Sequence, residues 1–170
     1  MRKMTSAGAN KLLRKLREDR DFWTRKEDER QIYIAAADEA PVIPEYDYEE
    51  TARKIAEIDD EILRIKHAIN QANVSHTISV KGREMTIDTV LVRMAQLSGR
   101  KAVLGIMRSR QPKSRVNDYM SVRKAAPEYQ YINYDLETVN SEYEKVDSEI
   151  MEMQIELDRY NQTVMFDVDM

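Results

Sequence analysis

From Leu136 to Tyr160 the apolar side chains fall at Leu136, Val139, Tyr143, Val146, Ile150, Met153, Leu157 and Tyr160. The steps alternate three and four, the spacing of a helix that buries a narrow seam against another helix. A second seam runs through Ala52, Ile55, Ile58, Ile62, Ile65, Ile69 and Ala72. The two patterns predict long helices over about 47–74 and 135–162. Asp47, with Glu50 three residues on, has the spacing of a capping box, and Asp135 stands where the last helix needs an N-cap.

Two further helices are expected. The first runs from about residue 5 to 38, with Leu12, Leu13, Leu16, Trp23, Ile32 and Ile34 on its apolar side. Arg20 and Glu27 interrupt that stripe, which predicts the least buried helix, and Pro41 and Pro44 close it. The other spans about 87–108 and turns Val90, Leu91, Met94, Leu97, Leu104 and Met107 inward. Between Thr77 and Ile87 the period changes to two: Ile78 and Val80 precede Lys81-Gly82, and Met85 and Ile87 follow. This predicts a β-hairpin. Val164, Phe166 and Val168 alternate as well and are expected to add a third strand to it, while Tyr129–Tyr131 reads as a brief strand. Residues 108–127, with Pro112 and Pro127, show no period and are expected to form a basic arm. The predicted fold is mainly α: a single domain over residues 1–170, an antiparallel long-helix bundle or coiled coil of about four helices with a small hairpin. Seams this long in a chain this short predict assembly as a homo-oligomer. A faint echo, Asn70-Gln71 against Asn161-Gln162, hints that the two helical hairpins are arranged alike.

Composition narrows the function classes. Charged residues make up 34% and aromatics 7%, the profile of slender helices with solvated outer faces. The absence of cysteine excludes disulfides, thiol catalysis and cysteine metal sites. No stretch approaches the roughly 18 apolar residues of a bilayer span, and no apolar run follows the first charges, so a cytoplasmic protein is expected. His67 and His76 lie on different predicted elements without ligand geometry, so no metal or other cofactor is expected. Gly99-Arg100-Lys101 does not complete a P-loop, and no hydrolase motif occurs. The reading is therefore not an enzyme.

The net charge of -4 conceals a segregation. Residues 98–124 hold eight bases against Asp118 alone; residues 125–170 hold twelve acids against Lys145 and Arg159. The basic stretch carries the candidate ligand-binding residues Arg108, Arg110, Lys113, Arg115, Tyr119 and Arg123. Guanidinium forks grip phosphate through two parallel hydrogen bonds, and a nearby aromatic ring suits a nucleotide base. The acidic total and the short basic stretch argue against nucleic acid. A second, smaller group is Asn70, Asn73 and Thr77, the two amides one helical turn apart, which together with Arg93 would make a polar pocket if the third helix faces them. The plainer reading of the two amides is that they satisfy carbonyls at a helix end.

The run Ile69-Asn70-Gln71-Ala72-Asn73, followed by Thr77, Gly82, Met85-Thr86-Ile87, Leu91 and Arg93, resembles the septicolysin-like family of small helical bacterial proteins. Ser109-Arg110 resembles that family's Ser-Arg arm, and Asp158 to Thr163 its final helix end. The resemblance implies a long-helix, oligomeric protein with a hairpin, and supplies no activity. The chain departs from the family pattern in the arm, where Gln111-Pro112 intervenes and residues 116–134 are longer and richer in tyrosine.

Three functions are compatible with these patterns. The first is a non-enzymatic oligomer that captures a small anionic, nucleotide-type ligand at subunit junctions, for instance to sequester a signalling nucleotide. The second is a coiled-coil scaffold whose basic band docks an acidic protein. The third is a hydrolase whose acids no motif singles out.

Overall fold

A computed structural model describes residues 1–116 and 127–169. The expected mainly helical architecture is present: four long helices with three small antiparallel strand pairs among the described residues. In chain order the elements are β1 (Arg2–Thr5), α1 (Ser6–Arg30), α2 (Tyr48–Ser75), β2 (Thr77–Val80), β3 (Arg83–Thr86), α3 (Ile87–Arg108), β4 (Lys113–Arg115), β5 (Tyr129–Tyr131), α4 (Leu136–Thr163) and β6 (Met165–Val168). They form two compact units, one of Met1–Thr77 with Leu157–Met170 and the other of Ile78–Glu156. No helix among the described residues is long and apolar enough to cross a membrane.

In the first unit α1 and α2 pack antiparallel. Ala9, Leu13 and Leu16 of α1 share one core with Ile65, Ala68 and Ala72 of α2, flanked by half-buried Leu12, Ile58, Ile62 and Ile69. Met4, Phe166 and Val168 close that core. Farther along, polar contacts replace apolar ones: Arg20 Nε donates to Asp59 Oδ1 at 2.6 Å, and Tyr46 donates its phenol proton to Glu27 Oε1 at 3.1 Å. No residue from Arg17 to Arg30 is buried, in keeping with the broken stripe, although α1 and α2 bury four residues each. α1 ends at Arg30 and not near 38. Ile32 and Ile34 are 74% and 98% exposed, because α2 begins only at Tyr48 and no element lies opposite to cover another turn. The Arg30 guanidinium instead holds the returning chain at the Glu45 carbonyl.

The C-terminal strand also departs from expectation. β6 does not join the hairpin but pairs with β1, with Met4 opposite Phe166 and Lys3 opposite Asp167. The buried residues thus share one face and opposite charges meet on the other. β1 offers too few apolar residues to show a period. Its last residue, Thr5, caps α1 by accepting from the Gly8 amide.

In the second unit the β2–β3 hairpin turns on Lys81 and Gly82, whose φ angles of 50° and 74° are the two positive values a two-residue type I′ turn requires. The Lys81 amide donates to Glu152 Oε1 at 2.7 Å, which ties the turn to α4. α3 buries Ile87, Val90, Leu97 and Leu104; Leu91, expected inward, is 47% exposed. Within this unit α4 buries Val139, Val146, Ile150 and Met153, all seam positions. Ion pairs from Arg93 to Glu149 and from Lys101 to Asp147 run antiparallel between α3 and α4. The supposedly aperiodic arm contains β4, paired with β5. Three polar residues, Lys113-Ser114-Arg115, carry no strand propensity of their own, so the partner strand decides.

Two outcomes test this packing. Ile65 is fully buried, so Ile65→Ala should cost about 3 kcal/mol in urea unfolding. Asp135 accepts from both the hydroxyl and the amide of Thr138, which holds its carboxyl below the ordinary pKa. Its stabilisation is therefore present above the ordinary carboxylate range, about pH 4, and is lost as pH falls toward the lower folded value. Asp135→Asn keeps a capping oxygen and should flatten that part of the acid dependence of the melting temperature.

Candidate functional site

α3 ends in a sequence of local ties that root the arm. Ser109 Oγ donates to the Ile106 carbonyl, the Arg110 amide donates to the Met107 carbonyl, and the Tyr134 hydroxyl donates to that same Met107 carbonyl at 2.7 Å. The segments on either side then meet as an antiparallel pair: Lys113 opposite Tyr131, Ser114 opposite Gln130, Arg115 opposite Tyr129. Hydrogen bonds from Val116 N to Glu128 O and from Ile132 N to Pro112 O extend the ladder at both ends.

Alternation along the two strands sorts the side chains onto two faces. One face carries Lys113, Arg115, Tyr129 and Tyr131; the Lys113 ammonium lies 4.2 Å from the Tyr129 ring centroid and 5.5 Å from that of Tyr131. The other carries Ser114 and Gln130, which with Arg110, Gln111 and Ile132 line a cleft of about 190 Å³. The first face offers cations and flat rings. The second offers a guanidinium, a hydroxyl and amides, and among the described residues that line it no carboxylate.

Three bases of α3 behave differently. Lys101 donates to Asp147 at 2.5 Å, a bond that raises the pKa of its ammonium, and Arg93 donates to Glu149 at 3.1 Å. Arg108 stacks 4.3 Å from the Tyr143 ring centroid. Among the described residues no carboxylate forms a salt bridge with Arg110, Lys113 or Arg115. Among the described residues Arg93 and Lys101 of α3 are thus paired with acids, and Arg110, Lys113 and Arg115 are not.

Of the expected site residues, Lys113 and Arg115 share one face of the strand pair and Arg110 lines the cleft on the other, with Arg108 at the root of the arm. Tyr119 and Arg123 lie outside the described residues. Asn70, exposed, and Asn73, half-buried, stand on α2 in the first unit, whereas Arg93 stands on α3 in the second. The C-terminal carbonyls of α2 are taken by other side chains: Ser75 Oγ donates to Gln71 O at 2.8 Å, and His76 Nδ1 lies 3.0 Å from Ala72 O. Arg93 lines a larger cleft of about 840 Å³ beside the β2–β3 hairpin. There the bases Lys81, Arg83 and Arg93 face the equal number of acids Glu84, Asp88 and Glu149, so it has no net pull on an anion. Among the described residues no group of three or more His, Cys, Asp or Glu is placed to hold a metal ion.

Ser114 falls within the expected basic run, whereas Gln130, Tyr129 and Tyr131 were not expected beside it. The alternation Tyr129-Gln130-Tyr131 was the one available signal, and nothing local told it where its partner strand lay.

No family model matches the chain, and no curated protein does. One solved structure is similar: a functionally unknown conserved protein from Corynebacterium diphtheriae, with a TM-score of 0.65 at 12% identity, covering 98% of this chain and 100% of that one. At that identity the likeness concerns the fold alone.

The pairing of α3 with α4 is open to a charge-swap test. Lys101→Glu should lower the melting temperature, and adding Asp147→Lys should restore part of the loss. Both groups are partly exposed, so the coupling in the double-mutant cycle should be small and should shrink further in high salt.

Proposed function

We propose that this protein is a non-enzymatic, homo-oligomeric binding protein of the cytoplasm that captures a small anionic, nucleotide-type ligand on the β4–β5 hairpin. One observation carries the reading. Among the described residues, Arg110, Lys113 and Arg115 lie close in sequence on and beside the β4–β5 hairpin with no carboxylate in a salt bridge to them, while Arg93 and Lys101 of α3 are paired with acids of α4. Unpaired bases held close together raise the local potential and favour an anion. Tyr129 and Tyr131 beside Lys113 and Arg115 suit a base or sugar edge next to a phosphate, and the amides and hydroxyl on the opposite face suit directed hydrogen bonds. Sequestration of a signalling nucleotide is the biological use this chemistry fits. The resemblance to septicolysin-like proteins is compatible with it and adds no activity.

The test is thermal unfolding in the presence of mono-, di- and cyclic nucleotides and ADP-ribose derivatives. A ligand at about one hundred times its dissociation constant should add roughly 2.7 kcal/mol of stability. That shift should vanish in Lys113→Glu/Arg115→Glu and in Arg110→Glu while helical content is unchanged. A flat response across the panel, or a shift that survives these replacements, contradicts the reading. Release of product from the bound nucleotide contradicts its non-enzymatic part.

A further inference from the structure

α3 buries one side and leaves the opposite side uncovered. Val92, Ala95, Gly99, Ala102 and Ile106 recur in steps of three and four, forming a second heptad stripe on the side of the helix away from buried Val90, Leu97 and Leu104. Val92 and Ile106 are each 60% exposed, and Leu91 and Val103 beside the stripe are nearly half exposed. Between Thr89 and Met107 no charged residue falls on this face; Arg93, Arg100 and Lys101 project from the other sides of the helix. In a chain with 34% charged residues, a solvated helix face would carry some of them. Gly99 adds a second anomaly. A side chain there would meet nothing within 4 Å, so no contact within the chain calls for glycine at a mid-helix position that glycine weakens.

We infer that this face pairs with the same face of a second copy, the two α3 helices crossing antiparallel at Gly99. The pattern is symmetric about that residue. Val92 and Ile106 each lie seven residues from it, and Asp88 and Arg110 each lie eleven. A two-fold axis at Gly99 therefore sets Val92 of one copy against Ile106 of the other, and brings Asp88 in the first turn of one α3 toward Arg110 just past the end of the other, apolar on apolar and acid near base. A parallel pairing would instead set Asp88 on Asp88. Glycine at the crossing lets the two backbones approach closely.

The stripe continues into the groove of about 600 Å³ between α3 and α4, where Ala102 and Gly105 lie with Ile150 and Met151. From Leu91 to Ile106 the face is about 23 Å long, the length over which two crossing copies can meet. This deepens the oligomeric part of the proposed function and leaves the ligand part on separate residues, apart from Arg110 at the edge.

The chain has no cysteine, so single introduced thiols report proximity directly. Under mild oxidation Gly99→Cys should form a disulfide-linked dimer faster than Asp60→Cys on the exposed face of α2. Val92→Cys and Ile106→Cys should cross-link when mixed and not separately. In sedimentation equilibrium the native chain should be dimeric or larger, and Ala102→Glu should shift it to a smaller species with unchanged helicity. A native monomer overturns the inference, as does an assembly indifferent to Ala102→Glu, or self-linking by Val92→Cys alone. A native monomer that keeps the hairpin-dependent ligand shift would sink this interface and leave the ligand reading standing.

Discussion

A helix whose apolar residues recur every three and four positions covers only a narrow stripe, and that geometric limit governs what this chain can build. One seam accommodates one neighbour. In the first unit the α1 and α2 seams meet around Ile65 and are closed by the β1–β6 pair at Met4, Phe166 and Val168. In the second the seams of α3 and α4 bury Val90, Leu97 and Leu104 on one helix and Val139, Val146 and Ile150 on the other. Once each seam has its partner, whatever apolar surface remains on a helix stays exposed. The outer stripe of α3 is the main instance.

Charge follows the same logic. Acids on α4 meet bases on α3 at two points, so Lys101 and Arg93 are neutralised locally. Among the described residues the last such pair is at Lys101. Beyond Arg108 the chain leaves the helix with Arg110, Lys113 and Arg115 still to come, and the strand pair that follows holds Lys113 and Arg115 beside two tyrosines. The proposed ligand site is thus the part of a charge-matched helical pair that overruns its match.

The helices were legible because periodicity is a local signal repeated many times. α2, α3 and α4 begin and end within about a residue of their predicted bounds, and the Lys81-Gly82 turn forms where the period changes. What escaped depends on partners distant in sequence. β1 has only Met4 to bury and is defined by Phe166, far along the chain. β4 is defined by β5 in the same way. α1 stops early because nothing stands opposite Ile32 and Ile34, a fact about α2 and not about those isoleucines. The candidate site was legible as a list of bases, but which of them are paired depends on contacts between helices.

The most direct measurement is a titration of isotopically labelled protein with the best-binding nucleotide, followed residue by residue by backbone amide NMR. The account predicts that the shifts concentrate on Arg110, Gln111, Ser114, Gln130 and Ile132 and on the strands that carry Lys113 and Tyr129, with little change along α1 and α2. Shifts centred on the cleft beside β2–β3, or the absence of any saturable change, would contradict it.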